Sequence, residues 1–202
     1  MLSRRSAIMG ILALPLAPAQ LAERLLPWQT RLIHAARSQI GVTNAYDPSY
    51  VRLAYPNGDI PRDRGVCTDV VVRAYRDAFD VDLQKLVHED MRGAFSEYPA
   101  NWGLTRPDRN IDHRRVPNLE RYFERNAKAF GAVTTVSDWQ PGDLYTMRLS
   151  NNLPHIGIVS DKTTASGRPY VLHNIGLGTS EDDIIGQFNR ERRFRFQPDG
   201  TV

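Results

Sequence analysis

Along residues 28–40 the apolar side chains Leu32, Ile33, Ala36 and Ile40 recur at the three-and-four spacing of one helix face, and Gly41 stops the run. The same spacing returns at residues 66–79, where Val70, Val71, Ala74, Tyr75 and Ala78 form a stripe for burial. Further helices are predicted over 83–95 and over 118–126, the last burying Leu119, Tyr122 and Phe123. Between the first two helices, residues 41–64 hold Asn44, Asp47-Pro48, Pro56-Asn57-Gly58-Asp59 and Pro61, which spells a long irregular loop. Loops of that length in a compact domain are usually functional or disordered.

After Gly131 the period changes to two and β-branched residues accumulate. Strands are predicted over 132–136, 144–149, 155–160, 170–174 and 192–196. Helices first and strands afterwards is the order of an α+β domain, with N-terminal helices packed on a C-terminal antiparallel sheet. No repeat, low-complexity tract or linker divides the chain.

The extreme N-terminus reads differently. Arg4 and Arg5 precede an apolar run over 7–17 and then Ala17-Pro18-Ala19, the three parts of a secretory signal peptide. The run is too short to span a bilayer, which needs about 20 apolar residues. The expected division is a signal peptide over 1–19 and a single exported domain over 20–202, periplasmic or extracellular and not inserted in a membrane. Ser3-Arg4-Arg5 hints at the twin-arginine route. The formal charge is +3, but without Arg4 and Arg5 the count is 24 bases against 23 acids. A chain so near neutrality carries no signature of nucleic-acid binding. Hydrophobic residues make up 41%, enough for a globular core.

The lone Cys67 excludes a disulfide framework and any multi-cysteine zinc module. It follows Gly65-Val66 and opens the second helix, where free backbone N–H groups and the helix dipole favour an anion. A thiol there is expected to have a lowered pKa and to act as a nucleophile; the alternative is a small buried hydrophobe. If the strands at 155–160 and 170–174 form a hairpin, His155 and His173 stand opposite each other on one face, with Cβ atoms roughly 5 Å apart. Gly167 in the turn can host a bulge that moves this register. A thiol and two imidazoles compose a nucleophile, a base and an orienter. His34 and His88 have no visible partner and read as structural or solvent-exposed.

At these residues the chain resembles the NlpC/P60 superfamily of papain-like cysteine peptidases and, within it, the DUF1287 branch of exported bacterial proteins. The resemblance runs through Ser38-Gln39-Ile40-Gly41, Gly65-Val66-Cys67-Thr68-Asp69-Val70-Val71, Trp139-Gln140-Pro141-Gly142-Asp143-Leu144 and His155-Ile156-Gly157-Ile158-Val159, with His173 on the next strand. The stretch from Asn110-Ile111-Asp112-His113 through Arg114-Arg115-Val116-Pro117-Asn118-Leu119 points to DUF1287. Val66-Cys67-Thr68 departs from the superfamily's Asp-Cys-Ser, and residues 80–130 form an insertion-like helical segment.

The resemblance implies a papain-like fold of the NlpC/P60 type and amide cleavage through a thioester. Cys67 would attack, His155 would carry the proton and His173 would orient His155. It further implies an oxyanion site made by the Cys67 N–H and a tyrosine upstream. Tyr46, Tyr50 and Tyr55 all lie in the right loop, and Tyr46, nearest Gly41, fits best. No cofactor and no metal is implied.

Residues 106–125 carry six arginines against four acids, by default a solvated face. The sharper reading gives Arg114 and Arg115, with Asp112 and His113, to a carboxylate-bearing substrate. Export then suggests peptide amide bonds of peptidoglycan. Rival readings are lipid or acyl chemistry on the same scaffold, a non-catalytic cell-wall binding module, and metal binding by Cys67, His155 and His173. Gly176-Leu177-Gly178 could suggest a phosphate loop, but the better reading is a turn into a short helix capped by Thr179 or Ser180.

Overall fold

The structure, a computed structural model, describes residues 25–130 and 135–198. The expected signal peptide over 1–19 lies outside the described residues, as does most of the strand expected at 132–136. Val136, the last residue of that span, opens a short 3-10 turn, Val136–Asp138.

Four helices and an antiparallel sheet make a mixed α+β fold. The helices are α1 (Pro27–Arg37), α2 (Cys67–Phe79), α3 (Leu83–Gly93) and α4 (Val116–Asn126). Two-residue strands β1 (Ala45–Tyr46) and β2 (Arg64–Gly65) pair in parallel and close the long loop at its base. The main sheet adds β3 (Lys128–Ala129), β4 (Leu144–Arg148), β5 (Pro154–Thr163), β6 (Pro169–Asn174), β7 (Thr179–Asp182) and β8 (Asn189–Arg195). Their order across the sheet is β3-β8-β4-β5-β6-β7. No helix among the described residues is long and apolar enough to cross a membrane.

Alternation along the strands sorts the sheet into two faces. Leu144, Ile156, Ile158, Leu172 and Phe194 face the helices and pack with Leu32, Cys67, Val71, Tyr75, Leu119 and Phe123. Tyr145, Met147, Val159 and Val171 turn the other way, against Trp139, Ile184 and Ile185.

Residues 179–182 do not open a helix. They form β7, because Gly178, at φ +101°, brings its backbone against Thr43 and Thr179 donates to Thr43 O at 2.8 Å. A Cβ at position 178 would sit 2.4 Å from that carbonyl oxygen, so glycine is required for the close approach. The Gly176-Leu177-Gly178 turn therefore serves backbone packing against the 41–64 loop.

Candidate active site

The geometry begins with the start of α2. Asp69 accepts the Val66 N–H at 2.7 Å, capping the helix one turn in. The same carboxylate takes Arg114 bidentately, Nε to Oδ1 at 3.0 Å and Nη2 to Oδ2 at 2.9 Å. The Arg114 guanidinium also donates to Ser49 O at 3.0 Å and Asp47 O at 2.9 Å. One buried arginine thus ties the helix start, the 41–64 loop and the segment before α4 together. Thr68 adds a hydrogen bond to Arg114 O at 3.2 Å.

Cys67 lies at the bottom of a groove of about 200 Å³ whose walls include Tyr46, Val66, Trp102, Arg115 and Pro154. The Tyr46 hydroxyl and the backbone N–H groups of Thr68 and Ile156 approach its sulfur and counter the effect of burial on the thiol. Of the three candidate tyrosines, the fold brings Tyr46 to the sulfur. Tyr50 instead hydrogen-bonds Asp108 and Asn110, and Tyr55 packs edge-on to His88. His34 is exposed.

The position at a helix start does not depress the Cys67 pKa. Burial dominates and pushes the thiol up to about 11, against the opposing hydrogen bonds. The resting group is a neutral thiol.

The two imidazoles meet. His155 Nε2 lies 3.0 Å from His173 Nδ1, with the rings nearly perpendicular. They are diagonal neighbours, because the hairpin pairs Ile158 with Leu172 and so sets His173 opposite Gly157, not His155. The shift is two residues, which preserves the face. Gly157 makes the contact possible. A Cβ there would lie 2.5 Å from Val171 Cγ1 and 3.1 Å from His173 Cβ.

His173 Nε2 lies 3.2 Å from Asp182 Oδ2, close but off the hydrogen-bond line. Asp182 was not legible as a site residue, since β7 itself was read as a helix start. With Nε2–H of His173 toward Asp182, its Nδ1 accepts from His155 Nε2–H, and His155 Nδ1 keeps a free lone pair. Burial, and then the neighbouring His173, lower the His155 pKa to about 3; burial lowers His173 as well, against the pull of Asp182.

Alternation puts both imidazoles on the sheet face away from the Cys67 cluster. No direct hydrogen bond joins Cys67 to either ring among the described residues. The link is the Ile156 N–H, which belongs to the peptide unit joining His155 to Ile156.

The four residues expected at the substrate divide. Arg115 stacks its guanidinium 4.0 Å from the Trp102 ring centroid and walls the groove. Arg114 also reaches the groove, but its nitrogens are committed to Asp69 and the loop. Asp112 and His113 are buried. Burial raises the Asp112 carboxyl to about 6 and lowers the His113 imidazole to about 3. Among the described residues no group of three or more His, Cys, Asp or Glu side chains is arranged to hold a metal ion.

Comparison with known proteins decides the family. The model of DUF1287, a domain of unknown function, matches residues 33–196. The chain belongs to the DUF1287 family. It is 54% identical over 161 residues to the uncharacterized protein YijF of Escherichia coli (strain K12), a match covering 80% of this chain and 78% of the relative. The span matched by the family model takes in α2, the hairpin with both histidines, and β7.

Proposed function

We propose that this DUF1287 protein is an exported cysteine hydrolase of papain-like, NlpC/P60 type, cleaving amide bonds in peptidoglycan peptides. One observation carries the reading. A helix-start thiol lines a groove together with Tyr46, and on the opposite face of the sheet behind it a His155–His173 pair adjoins Asp182.

In this reading sulfur attacks the scissile carbonyl and the Cys67 S–H proton is delivered through solvent to His155 Nδ1, which lies across β5 on the opposite face of the sheet. The carbonyl oxygen takes the negative charge and is met by the Tyr46 O–H and the Cys67 N–H. Collapse expels the amine, which takes its proton from His155, and water then releases the acid from the thioester. Asp182 and His173 position His155. The thiol starts neutral and the imidazole starts neutral, both because the site is dry. Burial on each face of the sheet therefore opposes charge separation at sulfur and at His155 alike.

The buried, protonated thiol also supports a second reading, a cell-wall binding module without turnover. Incubation of purified sacculi or muropeptides with the protein and with its Cys67→Ala variant separates the two. Hydrolysis requires a new product that the variant fails to make; binding without a Cys67-dependent product leaves the module. Thioester and lipid substrates form the counter-screen for acyl chemistry on the same nucleophile.

A further inference from the structure

Pro117 and Pro154 border the Cys67 groove and also wall a second, polar groove of about 580 Å³, so the two adjoin. Four arginines line the second groove. Arg121 pairs with Glu97 and Glu124, Arg148 pairs with Glu120, and Arg192 pairs with Glu124. Arg190 forms no ion pair among the described residues, and its side chain is exposed.

The backbone at Arg190 is unusual in two ways. Between β4 and β8 the register runs from Thr146↔Arg192 to Arg148↔Asn189, so Met147 alone faces Arg190 and Glu191. That is a β-bulge, a device that re-aims side chains beside functional sites. Arg190 itself has φ +54°, a left-handed conformation that favours glycine or asparagine. Asn152, in the turn leading to Pro154 and His155, has φ +62° and lines the same groove. Of the four non-glycine residues with positive φ among the described residues, two border this one groove. Strain of this kind collects at ligand sites.

The geometry points to a carboxylate subsite at Arg190, with the Asn152 amide beside it, holding a segment of the substrate that extends from the scissile bond at Cys67. This rests on the groove at Cys67 being where substrate lies. The charge balance selects the ligand class. Four guanidiniums face the carboxylates of Glu97, Glu120 and Glu124, which leaves one positive charge for a monoanion and disfavours a phosphate dianion.

The test uses the full chain carrying Cys67→Ala, so that binding is read without turnover. Two stem-peptide probes are compared by calorimetry, identical except that one bears a free carboxylate and the other its carboxamide. The carboxylate probe should bind about tenfold more tightly, the usual worth of a charge-assisted hydrogen bond. Adding Arg190→Gln should erase that difference, Arg190→Lys should restore part of it, and Arg92→Gln on α3 should change nothing. Arg190→Gly, which suits the backbone, should behave like Arg190→Gln and guards against a folding artefact. Equal binding of the two probes, no effect of Arg190→Gln, or stronger competition by inorganic phosphate than by acetate at matched ionic strength would overturn the subsite. Arg190-dependent binding with no Cys67-dependent cleavage of sacculi would uphold the subsite and sink the hydrolase reading.

Discussion

The two faces of the sheet treat their polar residues differently. On the helix side, Cys67 is fixed by a dense, paired interior: Asp69 caps the helix and grips Arg114, and Arg114 grips the loop. On the other side, His155 and His173 are fixed by register and by one missing side chain at Gly157, and their chain ends at Asp182, about half exposed. Cys67 is thus held by ion pairing and the two histidines by strand pairing. Dryness acts on both but in opposite directions, raising a thiol and lowering an imidazole, because in each case it disfavours the charged form.

Breaking the paired side is expected to cost most. Asp69→Ala leaves the Arg114 guanidinium buried without its partner and should remove about 3–5 kcal/mol of stability, read from urea midpoints. The double variant Asp69→Leu/Arg114→Met should recover a large part of that loss; no recovery would mean that the loop contacts of Arg114, not the pair, hold the helix start. On the other face, Gly157→Ala should cost about 1–3 kcal/mol, since the new methyl has no room beside Val171 and His173. The same variant should shift the imidazole NMR signals of His155 and His173, and unchanged signals would show that Gly157 does not set their contact.

The pH dependence sharpens the contrast. His113 and His155 are held near 3 in the folded chain, whereas an unfolded histidine titrates near 6.5. Between those values the unfolded chain binds more protons, so stability is full above about pH 6.5 and declines as pH falls toward 3. Each such histidine contributes a slope of about 1.4 kcal/mol per pH unit in that window. His113→Gln should flatten the curve of urea midpoint against pH by one such slope, and a parallel curve would refute the buried neutral imidazole. The smallest effect belongs to Tyr46→Phe. Losing one hydrogen bond to sulfur, worth about 0.5–1.5 kcal/mol, should slow iodoacetamide alkylation of Cys67 some three- to tenfold at fixed pH.

Much of the fold was legible because helix periodicity is local. All four helices occur where their apolar stripes place them, with ends within three residues. Four of the five expected strands also occur. β7 escaped because Thr179-Ser180-Glu181-Asp182 is polar and reads like a helix start; only its pairing with β6 and the close approach of Gly178 to Thr43 make it a strand. The pairing of the two histidines was legible as a shared face but not as a register, since the bulge between Val159 and Thr163 shifts the hairpin. The roles of the arginines were hidden. Arg114 and Arg115 are neighbours of equal charge, and only burial beside Asp69 separates a tie of the fold from a wall of the groove.

The amino-acid order by itself determined the family, the α+β class, and the placing of Cys67 at a helix start with two histidines on one sheet face. Those properties follow from spacing along a few turns or one hairpin. Tertiary structure alone decided that Tyr46 meets the sulfur, that Asp182 extends the imidazole chain, that the thiol is protonated at rest, and that Arg190 stands in the adjoining groove without an ion-pair partner among the described residues. Each of these depends on which distant segments exclude water from a group or supply its counter-charge, and spacing along the chain does not encode that.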